Sequence, residues 1–313
     1  LAGYYTDWLW FGETGYQQVF LTSLSTRVGL GAAVGLGVFV LLFGNFRLAL
    51  RHFEEPYIVL GLSPADGTPI VLQRRGVSRL VGLASALAAL AAGVLGSSRW
   101  ILWLQYRHAT PFGDRDPIFG QDVAFYVFQL PWFGFVRDLL LGAFLLALAG
   151  STLIYLLPGR AAGGAGGPFA ALRVARRHLS LLTAAVLLLL AAGTWLDGFG
   201  LLVSPAGIIQ GATYADVTAR LPALRLLGVA AAVGAVMAAT QAFTRHRWLA
   251  AGGFLLYAAT WAGGLIFVTA FQRLVVTPNE QVKESPYIAY NIAATRKAFA
   301  LNNVEERELS GEA

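Results

Sequence analysis

Cysteine is absent from the chain and methionine occurs once. The first absence excludes disulfides, thiol catalysis, iron–sulfur clusters and cysteine-ligated zinc. Charge is also scarce: 13% of residues are Asp, Glu, Lys or Arg, about half the usual share of a soluble domain. Hydrophobic residues make up 57% and the mean hydropathy is +0.61. That balance does not dissolve in water and points to an integral membrane protein. Lysine is nearly missing, with only Lys283 and Lys297. The formal net charge of +6 would suggest nucleic acid for a soluble protein. Here it is assigned to loops facing the cytoplasm, and nucleic acid is not an expected partner. No signal peptide is visible and residue 1 is Leu, so the expectation is a chain that begins part-way into a longer protein.

What is present is a series of long apolar runs. About 20 apolar residues at about 1.5 Å rise cross a hydrocarbon core of about 30 Å. Six runs qualify: Arg27–Leu50, Leu80–Leu104, Trp132–Leu157, Leu179–Leu196, Leu224–Phe243 and Trp248–Phe271. Their central parts contain no Asp, Glu, Lys, Arg or His. A buried ionisable group in mid-membrane usually marks an ion path or proton relay, so their absence weighs against a proton-coupled pump. The fold class read from this pattern is all-α: a polytopic transmembrane bundle of six spanning helices with short interfacial helices on the external face.

Orientation follows from the distribution of basic residues. One side collects Arg47, Arg51, Arg74, Arg75, Arg79, Arg160, Arg173, Arg176, Arg177, Arg245 and Arg247 against the acids Glu54, Glu55 and Asp66. The other side holds most of the acids. The Arg-rich side is expected to be cytoplasmic, which places both ends of this chain external. The aromatic opening stretch YYTDWLWFGETGY, Tyr4–Tyr16, then lies outside, where Trp and Tyr favour the headgroup layer.

The cytoplasmic loops carry little. AAGGAGGP at Ala161–Pro168 is a flexible link without the Lys-Ser or Lys-Thr of a phosphate loop. The external loops, Pro111–Trp132, Asp197–Pro222 and Val276–Phe299, mix turn residues, charges and aromatics. Asp122 is expected to cap one interfacial helix, and Ser285 with Pro286 to open another. The candidate external site is Asp114, Arg115, Asp116 and Asp122 in one loop and Tyr214, Asp216 and Arg220 in another. The spacing of Asp216 and Arg220 permits an i,i+4 ion pair on a helix. The carboxylates near Asp116 do not follow calcium-loop spacing and read as turn and cap residues. No catalytic, cofactor-binding or metal-ligating set is assigned. The histidines, His52, His108, His178 and His246, all lie at run ends or in loops and read as interfacial. Gly31 with Gly35, and Gly234 with Ala238, give small-residue spacings suited to close helix packing.

Four external motifs, YTDWLWFGETGY, DPIFGQDVAFYVFQLPW, GATYADVTARLPALR and PNEQVKESPYIAYNIAATRKAF, in this order, resemble the bacterial integral membrane proteins grouped as uncharacterised protein family 0182. The resemblance covers nearly the whole chain. It implies seven transmembrane helices followed by a large extracytoplasmic domain, with no established activity or site residue to carry over. This sequence departs from that pattern: the first helix is absent or reduced to Leu1–Gly3 and the large domain expected beyond Ala313 is not included, so the expectation is either a truncated protein or its membrane part alone. Ala293 and Ala300 stand where the resemblance leads one to expect Glu and Gly.

The domain reading is a transmembrane bundle with aromatic-rich external loops over 1–275, then an external amphipathic helix over 276–313 that begins a further extracytoplasmic region. Three functions stay open. The first is a non-enzymatic membrane scaffold or anchor whose partners are the lipid bilayer and other membrane-protein subunits. The second is a transporter or channel, which requires a cavity between helices lined by residues such as Ser85, Thr183, Thr240 and Gln241. The third is a membrane enzyme at the external surface, which requires Asp114 or Asp116 to meet Asp216 at one cleft.

Overall fold

The computed structural model describes residues 2–51, 57–62, 69–156, 167–204 and 211–304. Six helices are long and apolar enough to cross a membrane. They are α2 (Gln17–Leu50), α3 (Arg74–Ser98), α5 (Leu130–Leu156), α6 (Gly167–Gly200), α7 (Leu221–Phe243) and α8 (Leu249–Phe271). Three shorter helices, α1 (Ala2–Glu13), α4 (Trp100–Arg107) and α9 (Glu280–Ala298), gather at one end, here called the rim. At the opposite end β1 (Tyr57–Leu62) and β2 (Pro69–Gln73) pair as an antiparallel ribbon between α2 and α3. This ribbon is, among the described residues, the one addition to an all-α reading.

The helices pack in the order α3–α2–α5–α6–α7–α8. Contacts along their lengths fix the alternation. Gly31 meets Gly93 while Gly35 meets Ala89, so α2 and α3 are antiparallel. Arg137 meets Asp197 while Tyr155 meets His178, so α5 and α6 are antiparallel. The described arginines Arg47, Arg51, Arg74, Arg75, Arg79, Arg176, Arg177, Arg245 and Arg247 accordingly collect at the ribbon end; Arg160 and most of the Gly-rich link fall outside the described residues.

Lipid gives no hydrophobic drive between helices, so close backbone approach and side-chain interlock hold the bundle. The expected GxxxG contact is intramolecular. A Cβ on Gly31 would sit 3.0 Å from the Gly93 carbonyl oxygen, and one on Gly93 would sit 2.9 Å from that of Gly31. Gly234 finds its counterpart in Gly253 of α8, where an added Cβ would lie 2.8 Å from the facing carbonyl oxygen. Between these contacts lies a packed core on α2, α3, α5 and α6 that includes Leu42, Phe46, Ala147, Ile154 and Leu182. The Phe46 ring occupies the space that a side chain at Gly150 would need.

Three polar ties join helices inside this frame. His178 bridges Tyr155 Oη at 3.1 Å and Asn45 Oδ1 at 2.8 Å, linking α6 to α5 and α2 near the ribbon end. His178 is therefore a packing histidine rather than a purely interfacial one. Gln241 donates to Ser180 Oγ at 3.0 Å and accepts the Ala250 N–H at 2.9 Å. The second bond satisfies one of the unpaired amides in the first turn of α8. At the rim, Arg137 of α5 reaches Asp197 of α6 at 3.3 Å.

Helix boundaries differ from the apolar runs where local chemistry intervenes. The Leu80–Leu104 run breaks into α3 and α4 at Arg99, after Gly96-Ser97-Ser98. Ser98 Oγ bonds the Leu95 carbonyl at 2.7 Å, a side-chain competitor for the helix ladder. Arg99 opens α4, and Arg27 stacks over the neighbouring Trp100 ring at 4.7 Å. Near the rim, three helical segments widen into π turns: Phe125–Gln129, Asp216–Arg220 and Gln272–Val276. Each ends two residues before a proline, Pro131, Pro222 and Pro278. Proline offers no N–H and its ring collides with the carbonyl four residues back. The residue before each proline instead donates five residues back, Leu130 to Phe125, Leu221 to Asp216 and Thr277 to Gln272.

The glycine contact yields a sharp comparison within α8. G253L forces α7 and α8 apart and is expected to cost about 1–3 kcal/mol or more by overpacking. G263L, where an added Cβ meets nothing within 4 Å, is expected to leave stability unchanged. Thermal unfolding in detergent, followed by circular dichroism, checks both.

Candidate functional site

The rim is organised by carboxylates that accept backbone N–H groups. Loop backbone leaving a helical bundle loses its ladder partners, and unpaired polar groups at a membrane boundary are costly. In the first rim loop Asp116 accepts N–H bonds from Ile118 at 2.9 Å and Gln121 at 2.7 Å, and Phe119 donates to it as well. It also accepts the Tyr126 hydroxyl at 2.9 Å. Asp122 accepts from Phe112, Gly113 and Ala124 at 3.0, 2.9 and 2.8 Å. The Ala124 bond caps the helical segment that leads into α5, as expected from the sequence. The Ala124 and Phe112 N–H donors, ahead of Gly113 and the nearby Arg115 charge, hold the Asp122 carboxyl below its ordinary range. Arg115 itself is exposed and its backbone bridges to Asp122. Asp114 pairs with Lys297 of α9.

The second rim loop carries Tyr214, Asp216 and Arg220. Thr213 and Asp216 cap each other: the Asp216 N–H donates to Thr213 Oγ1 at 3.2 Å, and the Thr213 N–H donates to Asp216 Oδ2 at 3.1 Å. This is a capping box, Thr-x-x-Asp, with both orphan donors met reciprocally. Arg220 Nη1 lies 3.4 Å from Asp216 Oδ1, the expected i,i+4 pair, formed here across a π turn.

The decisive residue of this region was not among those picked from the sequence. Glu284, on α9, is buried and accepts the Tyr214 N–H with both oxygens, at 3.1 and 2.9 Å. Lys283 sits 4.6 Å over the Tyr214 ring, and Phe271 and Tyr287 contact that ring from two other directions. One turn of α9 thus clamps the turn preceding α7. The helix begins at Glu280, not at Ser285, and Pro286 lies in its interior. The earlier start places Glu280 in the first turn, where a negative charge suits the helix dipole.

The candidate residues therefore divide into two groups. Asp114, Arg115, Asp116 and Asp122 organise one loop; Tyr214, Asp216 and Arg220 organise the other. No hydrogen bond or ion pair joins Asp114 or Asp116 to Asp216 among the described residues. The loops touch through apolar side chains instead, with Ile118 and Phe119 packed against the cluster of Leu201, Ala212 and Leu221. No group of three or more His, Asp or Glu side chains converges among the described residues.

A cavity of about 760 Å³ opens between α7 and α8 just below Asp216. Its rim-side mouth is polar, formed by Asp216, Arg220, Gln272, Arg273, Glu280 and Glu284. Its deeper walls are Leu224 and Leu227 on one side and Trp261, Leu265 and Val268 on the other. None of the residues expected to line a transport path contributes. Ser85 is fully buried, Thr183 bonds its own helix at the Leu179 carbonyl, Thr240 faces out of the bundle, and Gln241 ties helices together.

The model of an uncharacterised protein family, UPF0182, matches residues 1–313. Similar proteins include a UPF0182 protein of Moorella thermoacetica, 35% identical over 97% of this chain and 34% of its own length. One of Streptomyces coelicolor is 33% identical over 99% of this chain and 32% of its own length. One of Mycobacterium tuberculosis is 36% identical over 98% of this chain and 31% of its own length. The chain spans about a third of the length of these relatives. No solved structure matches.

Two outcomes test this geometry. E284A strands the half-buried Tyr214 N–H and is expected to weaken α9 docking by about 1–3 kcal/mol, with E284Q losing less. Amide exchange at Tyr214 and tryptic cleavage after Lys297 read the difference. Ala300 is the only non-glycine residue with positive φ among those described, at 54°. Glycine relieves an L-residue of about 1 kcal/mol there, so A300G is expected to increase exchange protection at the end of α9.

Proposed function

Because the chain belongs to the uncharacterised family UPF0182, no activity is inherited with membership, and we propose that it acts as a membrane scaffold that holds α9 as a docking platform. In this reading the rim faces outside, the Arg-rich ribbon end faces the cytoplasm, and the chain is the membrane-embedded part of a multi-pass inner-membrane protein. The observation that carries it is the Glu284 clamp on Tyr214. A carboxylate is desolvated at a residue separation of 70 to fix one helix against the bundle. Such a cost is met only where its position matters. The Asp114–Lys297 pair ties the far end of the same helix to the first rim loop. Along α9, Val282, Tyr290 and Ile292 are exposed, apolar groups available to a partner.

The chain is convenient for testing both halves of this proposal. It has no native cysteine, so N279C and H246C each introduce a unique thiol. An impermeant maleimide added to intact spheroplasts is expected to label N279C and spare H246C; the reverse pattern overturns the orientation. The lysines of the chain, Lys283 and Lys297, are both on α9. Amine cross-linking in native membranes is expected to join α9 to a defined second segment or subunit, with yield reduced several-fold by E284A. Equal yield with and without the clamp overturns the platform role.

A further inference from the structure

The α7–α8 cavity has the profile of a binding groove for an amphiphile. At the ribbon end, Gly234 and Gly253 bring the two helices to backbone contact. Toward the rim Ala223 still meets Gly264, and alongside that contact the groove runs from Gln272 down to Thr260. Twelve helical residues span about 18 Å, more than half of a hydrocarbon core of about 30 Å. Within the spanning part the walls are aliphatic and aromatic apart from Thr260 and Thr269, whose hydroxyls donate to carbonyls of their own helix, and Trp261 and Leu265 are themselves exposed. Water has too few partners in such a channel to fill it; an acyl chain matches the walls.

The mouth specifies more than an acyl chain. Asp216 is already engaged by Thr213 and Arg220, and Glu284 by Tyr214. Two mouth residues keep their charge uncompensated: Arg273 and Glu280 have no hydrogen-bond or ion-pair partner among the described residues. Arg220 holds Asp216 by one long contact and leaves the rest of its donors unused. The groove thus offers guanidinium donors beside one open carboxylate, at the level where lipid headgroups lie. We propose that the groove binds an aminophospholipid: a zwitterionic lipid whose phosphate meets Arg273 and Arg220, whose primary ammonium meets Glu280, and whose acyl chain lies between α7 and α8. A purely anionic head would face Glu280 and Asp216 unfavourably. A quaternary ammonium would offer Glu280 no N–H to donate.

Native mass spectrometry of the full chain, released from micelles holding equal amounts of phosphatidylethanolamine, phosphatidylcholine and phosphatidylglycerol, tests this. The expected result is a single retained phosphatidylethanolamine, at about tenfold higher occupancy than either competitor, the ratio that one lost charge-assisted hydrogen bond gives. E280Q is expected to reduce phosphatidylethanolamine to the phosphatidylcholine level. R273Q is expected to reduce both. Neither side chain has a hydrogen-bond or ion-pair partner among the described residues, so in lipid-free detergent R273Q is expected to leave the melting temperature unchanged and E280Q to lower it only slightly, through the charge lost from the first turn of α9, which separates a lost site from a lost fold. Equal occupancy by all three lipids, preference for phosphatidylglycerol, no retained lipid, or retention unaffected by both variants overturns the proposal. These results read lipid binding alone and do not require α9 to have a cross-linking partner.

Discussion

Inside a bilayer every backbone N–H and C=O needs a partner within the protein, because the surroundings supply none. The helices of this chain meet that demand along their lengths and leave it unmet where they end. The rim is the answer to those ends. Asp116, Asp122, Asp216 and Glu284 each accept main-chain N–H groups from a loop or helix start. These carboxylates, which a search for chemistry singles out first, are largely consumed in holding backbone in place. Charge is excluded from the central parts of the spans, and most of the charge at the rim is committed to structure.

The prolines at the rim show the same demand from the opposite direction. Pro131, Pro222 and Pro278 each remove a donor where a spanning segment meets the rim. The chain responds not with a break but with a wider turn that passes the duty to the preceding residue. A π turn also rotates the side chains beyond it relative to an unbroken α-helix. At Asp216–Arg220 the widened turn forms part of the mouth of the α7–α8 groove, and Gln272 and Arg273, from another widened turn, complete it. Local backbone chemistry and the shape of the groove therefore share a cause.

Much of the bundle was legible in the sequence because lipid imposes a coarse code. Charge-free runs of the right length gave six spans, and the small residues at Gly31, Gly35 and Gly234 marked close contacts. The Asp122 cap and the Asp216–Arg220 pair followed from spacing alone. Thr213-x-x-Asp216 and the proline-directed π turns were legible in principle, since each is a short local pattern with a physical cause. Glu284 was not. Its role depends on Tyr214, far away in sequence, and nothing local separates it from Glu280 four residues earlier. The Gly234–Gly253 contact is opaque for the same reason: a small residue announces that something comes near, but not what. Ala300 was the informative exception. The resemblance led one to expect glycine there, and the backbone does adopt a left-handed conformation.

Platform and groove are built from the same parts, and this has a thermodynamic consequence. Glu284 fixes α9 to the loop before α7, and it also stands at the mouth of the groove with Glu280 from the same helix. A lipid that bridges Arg273 and Glu280 would join the end of α8 to the start of α9, a junction that otherwise has no ion pair among the described residues. Whatever binds the docked arrangement of α9 more tightly than the undocked one stabilises it, and docking strengthens binding by the same factor. A scaffold assembled this way would be firmest where its preferred lipid is abundant. The membrane would then be more than the solvent of the bundle: one of its molecules would serve as a structural element of the outer face.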